Sequence, residues 1–434
     1  MTAKSKLIDI DREGRERAVI VGVTGPSASR AQTDEYLEEL ALLADTAGAD
    51  VIHRIVQHRD SIDVATFIGK GKAEQIAAIV AEENIHIVIF DDDLTTVQIR
   101  NLERLITCKV IDRAGLIIDI FTKRAKSNEA RTQVALAQYE YLLPRLTRQW
   151  THLSKQYGGI RTKGPGETQI ETDRRMIRKR ISHLREKLGH INQQREIQRR
   201  GREELTCIAL VGYTNAGKST LMNLLSLSDV LVENRLFATV DSTVRSIQLD
   251  AATKVLLSDT VGFIRKLPHN LIASFKSTLA EVTEADALVH VVDISHPLWE
   301  EQIAIVESTL HEISADGKPT LIVFNKIDRL GDRGMLESLG RKYQNNVCIS
   351  ASRAINISAL KEKLLNLVRD AYVERTFTFS QNQYNLIARI HDVAEVISQR
   401  YTHDQVEVRV RLRQSELDKL VQLLPRQAVR QSSQ

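Results

Sequence analysis

"LTCIALVGYTNAGKSTLMNLL", residues 205–225, reads as an apolar strand, a glycine-bounded turn and the start of a helix. Its centre, Gly212 to Ser219, fits G-x-x-x-x-G-K-[ST], with Tyr213, Thr214, Asn215 and Ala216 filling the variable positions. The two glycines let the backbone wrap a phosphate with its N–H groups turned inward. Lys218 then spans the β- and γ-phosphates, the Ser219 hydroxyl reaches Mg²⁺, and Thr220 completes the loop set. A strand before such a loop and a helix after it predict an α/β layer built on a mostly parallel sheet.

Three later stretches fit the same layer. "LLSDTVG" ends a strand with Asp259, Thr260, Val261 and Gly262 in D-x-x-G spacing. The carboxylate can hold the Mg²⁺ shell through water, and the Gly262 N–H can meet a γ-phosphate oxygen. "TLIVFNKID" ends another strand with Asn325, Lys326, Ile327 and Asp328. An aspartate there accepts from guanine's ring N–H and exocyclic amine, a donor pair that adenine lacks. "CISAS" brings Ser350, Ala351 and Ser352, with the Ala351 N–H placed to meet guanine's carbonyl. This order of motifs is that of a guanine-specific GTPase domain.

Between the phosphate loop and D-x-x-G, "FATVDSTVR" is expected to form the first switch: Phe237, Ala238, Thr239, Val240 and Asp241. Thr239 is the candidate to complete the Mg²⁺ shell and sense the γ-phosphate, with Thr243 as runner-up. The expected catalytic set is Lys218, Thr239 and Gly262, and the expected metal ligands are Ser219 and Thr239. The residue after D-x-x-G is Phe263, whose ring cannot orient a nucleophilic water and is expected to pack against the switch. Slow hydrolysis by the protein alone, accelerated by an RNA-containing partner, follows from that.

Ahead of this domain, residues 18–121 alternate apolar runs with amphipathic stretches, as an α/β domain does. "FIGKGKAEQI" could put the N–H groups of Gly69 to Lys72 at a helix N-terminus as an anion site, or simply form a loop-to-helix turn. Residues 127–202 turn helical. A first helix kinked at Pro144 and a second starting at a Thr168/Glu171 capping box are expected to flank the loop "YGGIRTKGPGETQ", 157–169. Ile177, Ile181, Leu184, Leu188 and Ile191 space out the seam of a helical hairpin. Arg174, Arg175, Arg178, Lys179, Arg180, Arg185 and Lys187 give the second helix a strongly basic character suited to a phosphate backbone. The glycine-rich loop lacks phosphate-loop spacing and a preceding strand, so it reads as a probe for folded RNA.

The expected division is an N-terminal α/β domain over 1–126, the hairpin over 127–202, the GTPase domain over 203–373 and a small α/β domain over 374–434. In the last, "FTFSQ", "NLIARIHDVAEVISQ", "QVEVRVRLR" and "SELDKLVQLL" read as strand, helix, strand, helix. The fold class is thus α/β multidomain. Net charge is only +4, so a nucleic-acid partner is inferred from local clusters of cations and not from the whole chain. No apolar run of membrane-spanning length occurs, the start has no signal-peptide pattern, and three scattered cysteines fit a reducing compartment. A cytoplasmic monomer without membrane association is expected.

"YGGIRTKGPGETQIETDRR" ahead of "GYTNAGKST", followed by "LFATVDSTVR", "DTVGFI" and "NKID", resembles the HflX family of translational GTPases along essentially the whole chain. The resemblance implies binding to the large (50S) ribosomal subunit and its rRNA. It implies action on intact ribosomes, splitting or rescuing those stalled under heat or other stress, with GTP favouring binding and hydrolysis permitting release. It also implies that the hairpin loop reaches the peptidyl-transferase region, and that the N-terminal domain handles ATP, for which residues 1–126 carry no strong motif. A GTPase acting in RNA maturation or modification is the alternative reading.

Overall fold

The computed structural model describes residues 15–25, 29–146, 165–200, 205–226, 236–237, 241, 243–250, 253–268, 279–330, 334–370, 372–380, 390, 394–402 and 405–413. It divides into two compact units. The first comprises Met1–Arg199, Glu233–Asp241 and Ile264–Thr278; the second comprises Arg200–Val232, Ser242–Phe263 and Leu279–Gln434.

In the first unit, β1 (Glu16–Thr24), β2 (Ala49–His58), β3 (Ile87–Phe90) and β4 (Lys109–Asp112) form a parallel sheet in the order β2-β1-β3-β4. Two of its helices start at capping boxes that satisfy their free N–H groups. Ser29 with Gln32 boxes the start of α1 (Arg30–Ala47), and Thr95 with Gln98 does so for α3 (Thr96–Ile106). Gly48 ends α1 at φ 92°, which favours glycine. The anion-site reading of the turn before α2 (Lys70–Glu83) loses a donor, because the Gly69 N–H is given to Gln57 Oε1 at 2.9 Å. Val19, Val21, Ile76, Val88, Phe90, Leu102 and Ile106 form the core on this side of the sheet. α4 (Arg113–Arg124) is capped by Asp112.

α5 (Asn128–Leu142) and α6 (Pro165–Arg200) provide the two expected hairpin helices. All five predicted seam residues, Ile177, Ile181, Leu184, Leu188 and Ile191, share one apolar cluster with Ala135, Leu136, Tyr139 and Leu143. Two boundaries differ from expectation. α5 ends at Leu142 instead of kinking at Pro144, because a proline lacks the N–H to carry the ladder on. Arg145 then turns back, its Nη2 2.6 Å from Asp112 Oδ2 and its guanidinium stacked 3.4 Å from the centre of the Tyr141 ring. α6 opens at Pro165, so Thr168 lies inside its first turn and is not its cap. Proline at the first helical position loses no hydrogen bond and brings a helical φ. Residues 157–164 of the glycine-rich loop lie outside the described residues. The 36 residues of α6 span about 54 Å.

In the second unit, a six-stranded sheet has the order β10-β9-β8-β5-β7-β6. Its strands are β5 (Cys207–Gly212), β6 (Thr243–Gln248), β7 (Lys254–Asp259), β8 (Ala287–Asp293), β9 (Thr320–Asn325) and β10 (Asn346–Cys348), all parallel except β6. Parallel strands are covered on both faces, hence runs such as "ALVHVV" buried throughout. β11 (Tyr372–Ser380), β13 (Gln405–Arg413) and β12 (Glu395–Tyr401) add an antiparallel sheet, with Val406, Val408 and Val410 facing inward at every second residue. The helix expected over "NLIARIHDVAEVISQ" is corrected here. Its end, from Glu395, is strand, where β-branched Val396, paired with Val410, and Ile397 suit an extended backbone. The expected terminal helix "SELDKLVQLL" lies outside the described residues. No described helix is long and apolar enough to cross a membrane. The three cysteines are half-buried free thiols.

Candidate nucleotide site

The glycines of Gly212–Ser219 are required by their neighbours. A Cβ on Gly212, at φ 150°, would lie 2.2 Å from Val291 O; one on Gly217, at φ 100°, would lie 2.3 Å from Asn325 Nδ2. The loop therefore lies directly on the ends of β8 and β9. Lys218 opens α7 (Lys218–Ser226), is 6% exposed, and donates from Nζ to Gly212 O at 3.1 Å and Tyr213 O at 2.9 Å. Burial pushes its pKa down to about 8, against the pull of the Asp259 carboxylate. A cation held this way, among carbonyls, is poised for an anion.

At one end the loop is zipped to D-x-x-G. Thr214 N–H donates to Phe263 O at 2.8 Å and Phe263 N–H to Gly212 O at 3.1 Å, with Tyr213 bridged to Phe263. The Phe263 ring is 2% exposed, so it is buried and is not a polar group facing a reactant. The Ser219 hydroxyl donates to Asp259 Oδ2 at 2.6 Å, and the buried Thr260 hydroxyl donates to Leu210 O at 2.6 Å. Val261 is half-buried. A Cβ on Gly262 would come within 2.9 Å of Thr214 Cα and Cγ2 and 3.0 Å of Lys218 Nζ, so the three residues converge.

At the other end the loop is braced by N-K-x-D. Asn325 Nδ2 donates to Ala216 O at 2.9 Å, and Lys326, at φ 65°, donates from Nζ to Asn215 O at 2.8 Å and Asp293 Oδ2 at 2.6 Å. A 3₁₀ turn, Ile327–Arg329, presents Asp328. A hydrogen bond from Ser350 holds its carboxyl below the usual range, with Arg353 and Arg329 assisting against burial. Asp328 Oδ1 is buried and finds no hydrogen-bond partner among the described residues. Ser350 and Ser352 hydroxyls lie 3.3 Å apart. The Ala351 N–H, expected at a guanine carbonyl, donates to Asn325 Oδ1 at 3.0 Å.

The expected switch is described at its two flanks, while Ala238, Thr239 and Val240 lie outside the described residues. The Phe237 ring packs edge-on against Phe121 of α4, centroids 4.6 Å apart. Asp241 serves the start of α5: its carboxylate accepts from Lys126 N at 3.0 Å, Ser127 N at 3.3 Å and Ser127 Oγ at 2.5 Å. Thr243 opens β6 opposite Asp259.

Two features escaped sequence reasoning. Within the first unit, fully buried Arg113 bonds Asp91 Oδ1 at 2.7 Å, Arg265 O at 3.1 Å and the Glu39 carboxylate. Arg265 bonds Asp91 Oδ2 at 2.6 Å and stacks 3.7 Å from the Tyr36 ring centre, while Lys266 pairs with Asp91 and Asp92. Burial pulls the Asp91 pKa up, but Arg113, Arg265 and Lys266 outweigh it and hold it low. The run "FDDD" signals a carboxylate cluster, yet nothing in the sequence pairs it with Arg113. The second feature is His290, buried in β8, where burial and the Lys218 charge push its pKa down to about 4.

Residues 34–122 match the family model described as GTP-binding GTPase N-terminal, residues 124–202 the GTP-binding GTPase middle region, and residues 207–326 the 50S ribosome-binding GTPase. The chain is 47% identical over 381 residues to the GTPase HflX of Flavobacterium psychrophilum, covering 83% of this chain and 92% of that one. The chain belongs to the HflX family of GTPases. The Escherichia coli HflX is 40% identical over 382 residues, covering 87% of this chain and 90% of its own. A crystal structure of SsGBP with GDP is 26% identical at a TM-score of 0.48, over 82% of this chain and 99% of that one. As an HflX-family GTPase the chain binds GTP and hydrolyses it, on a P-loop fold with a mostly parallel sheet.

Proposed function

We propose that this HflX-family GTPase binds the large (50S) ribosomal subunit through rRNA and splits or rescues stalled ribosomes, GTP favouring the bound state and hydrolysis permitting release. The observation that carries this reading is the tie between switch and hairpin: Asp241 of the switch bonds Lys126 and Ser127, the residues that lead into α5, whose partner α6 is the basic helix. On α6, Arg175, Arg178, Lys179 and Arg180 are exposed. Arg185 and Lys187 are partly committed to α5, through Glu140 Oε1 at 2.7 Å and Asn128 Oδ1 at 3.0 Å.

In this reading Gly212–Thr220 hold the phosphates, with Lys218 across β and γ. Gly262 and Thr239 respond to the γ-phosphate, and Asp328 reads guanine, supported by Asn325, Lys326 and Ser350–Ser352. The orphaned Asp328 oxygen and the buried Lys218 ammonium fit a guanine nucleotide. Ser219, Thr239 and, through water, Asp259 suit Mg²⁺. Among the described residues no cluster of three His, Cys, Asp or Glu could hold a metal alone, so the ion's other oxygens would be phosphate and water. When bound, Mg²⁺ supplies charge neutralisation at the β,γ-bridge. With Phe263 in place of a glutamine, hydrolysis by the protein alone is at or below the ~10⁻² s⁻¹ scale, and the ribosome stimulates it. The chain acts as a cytoplasmic monomer of four parts: 1–126, 127–202, 203–373 and 374–434.

Replacing Arg175, Arg178, Lys179 and Arg180 with glutamine tests the RNA face. GTP affinity stays put, while large-subunit affinity drops and its salt slope falls by about 0.7–0.9 per lost phosphate contact. Unchanged subunit binding removes α6 from the interface.

A further inference from the structure

Thr214 is 7% exposed, and its hydroxyl oxygen is buried without a hydrogen-bond partner among the described residues. A hydroxyl taken out of water and left unpaired is costly, and a valine would fill the same space without that cost. Its position says where a partner would come from. The loop has two differently served ends. Asn215 and Ala216 give their carbonyls to Lys326 and Asn325, on the guanine-reading side. Thr214 instead shares its surroundings with Gly262 and with the Lys218 ammonium, the group that spans the β- and γ-phosphates in a loop of this kind. Its own N–H is already spent on Phe263 O. Its Cα and Cγ2 lie where D-x-x-G and the lysine meet, and the hydroxyl on the same Cβ is left over.

We propose that the Thr214 hydroxyl is the hydrogen-bonding group this enzyme aims at the terminal phosphoryl group of GTP and the water that attacks it. Phe263 offers no hydrogen-bonding side chain, so a polar group of the phosphate loop takes part of that task. The proposal rests on the GTPase reading of the site, and it separates GTP from GDP: the diphosphate leaves the hydroxyl unanswered. It also explains why a buried, unpaired polar atom persists in the loop.

The test compares Thr214→Val and Thr214→Ser in the full-length protein by three readouts: melting of the nucleotide-free protein, affinity for GDP and a non-hydrolysable GTP analogue, and single-turnover hydrolysis. Thr214→Val is expected to leave the nucleotide-free melting temperature unchanged or raised. It should weaken the analogue about tenfold, move GDP by less than about threefold and slow the single-turnover step about tenfold or more. Thr214→Ser should recover most of both losses. Equal losses for GDP and analogue, no loss for either, or a lower melting temperature for nucleotide-free Thr214→Val would each overturn the assignment. If the unaltered protein itself bound no guanine nucleotide, the reading of the whole site would fail; with that binding intact, an unresponsive Thr214→Val removes only this role.

Discussion

Raising the pH titrates the phosphate-loop lysine before it titrates any ordinary lysine. Lys218 is buried among carbonyls, and its pKa in the nucleotide-free protein is about 8 instead of 10.5. Phosphate binds the charged form, so nucleotide binding must first protonate whatever fraction is neutral. With a pKa of about 8, the neutral fraction rises from about one tenth at about pH 7 to about three quarters at about pH 8.5. Apparent GDP affinity should therefore fall about fourfold over that interval, below the range in which guanine itself loses a proton. Binding at about pH 8 should also take up about half a proton. Calorimetry in two buffers of different ionisation enthalpy measures both quantities at fixed ionic strength. The folding equilibrium carries the opposite sign: between about pH 8 and 10.5 the unfolded chain binds the extra proton, so the nucleotide-free fold gains stability as pH rises. An affinity flat from about pH 7 to 8.5, with no proton uptake, would refute the buried-ammonium argument.

His290 titrates on the acid side. Its folded pKa, about 4, lies below the unfolded 6.5, so the unfolded chain binds more protons between those values and stability is lost as pH falls through them. The shift is worth about 3 kcal/mol, and urea melts of His290→Leu should show that much less acid sensitivity than the unaltered protein between about pH 6.5 and 4. Asp328→Asn swaps an acceptor for a donor at the base. GTP should weaken on the order of a thousandfold while xanthosine triphosphate, with a carbonyl in place of the amine, gains in competition binding. Asp241→Ala removes the acceptor that holds Lys126 and the capping residue Ser127 of α5, at a cost of about 1 kcal/mol. Its larger effect should be on coupling, narrowing the difference between GTP- and GDP-state affinity for the large subunit in equilibrium sedimentation.

The GTPase layer was legible because each motif is a local consequence of backbone geometry. Gly212 and Gly217 announce a loop that no side chain could enter, and the distances to Val291 O and Asn325 Nδ2 give the reason. The hairpin seam was equally legible, since four-and-three spacing of Ile177 to Ile191 is itself the packing instruction. Boundaries fared worse where one residue had two readings. Pro165 looked like part of a loop yet opens α6, and Thr168 looked like a cap yet lies one turn in. The tail strand Glu395–Tyr401 was hidden because its apolar residues suit a helix face as well as a sheet, and pairing with Gln405–Arg413 decides it. Long-range polar partners left no trace in sequence. Nothing near Arg113 predicts that it meets Asp91 and the carbonyl of Arg265, and nothing in "ATVDST" predicts that Asp241 reaches Ser127.

The most direct measurement mixes the protein with separated ribosomal subunits, with GDP or a non-hydrolysable GTP analogue, and sediments the mixture. The account predicts stable co-sedimentation with the large subunit in the analogue state and weak association with GDP. Binding indifferent to nucleotide, or confined to the small subunit, would contradict it.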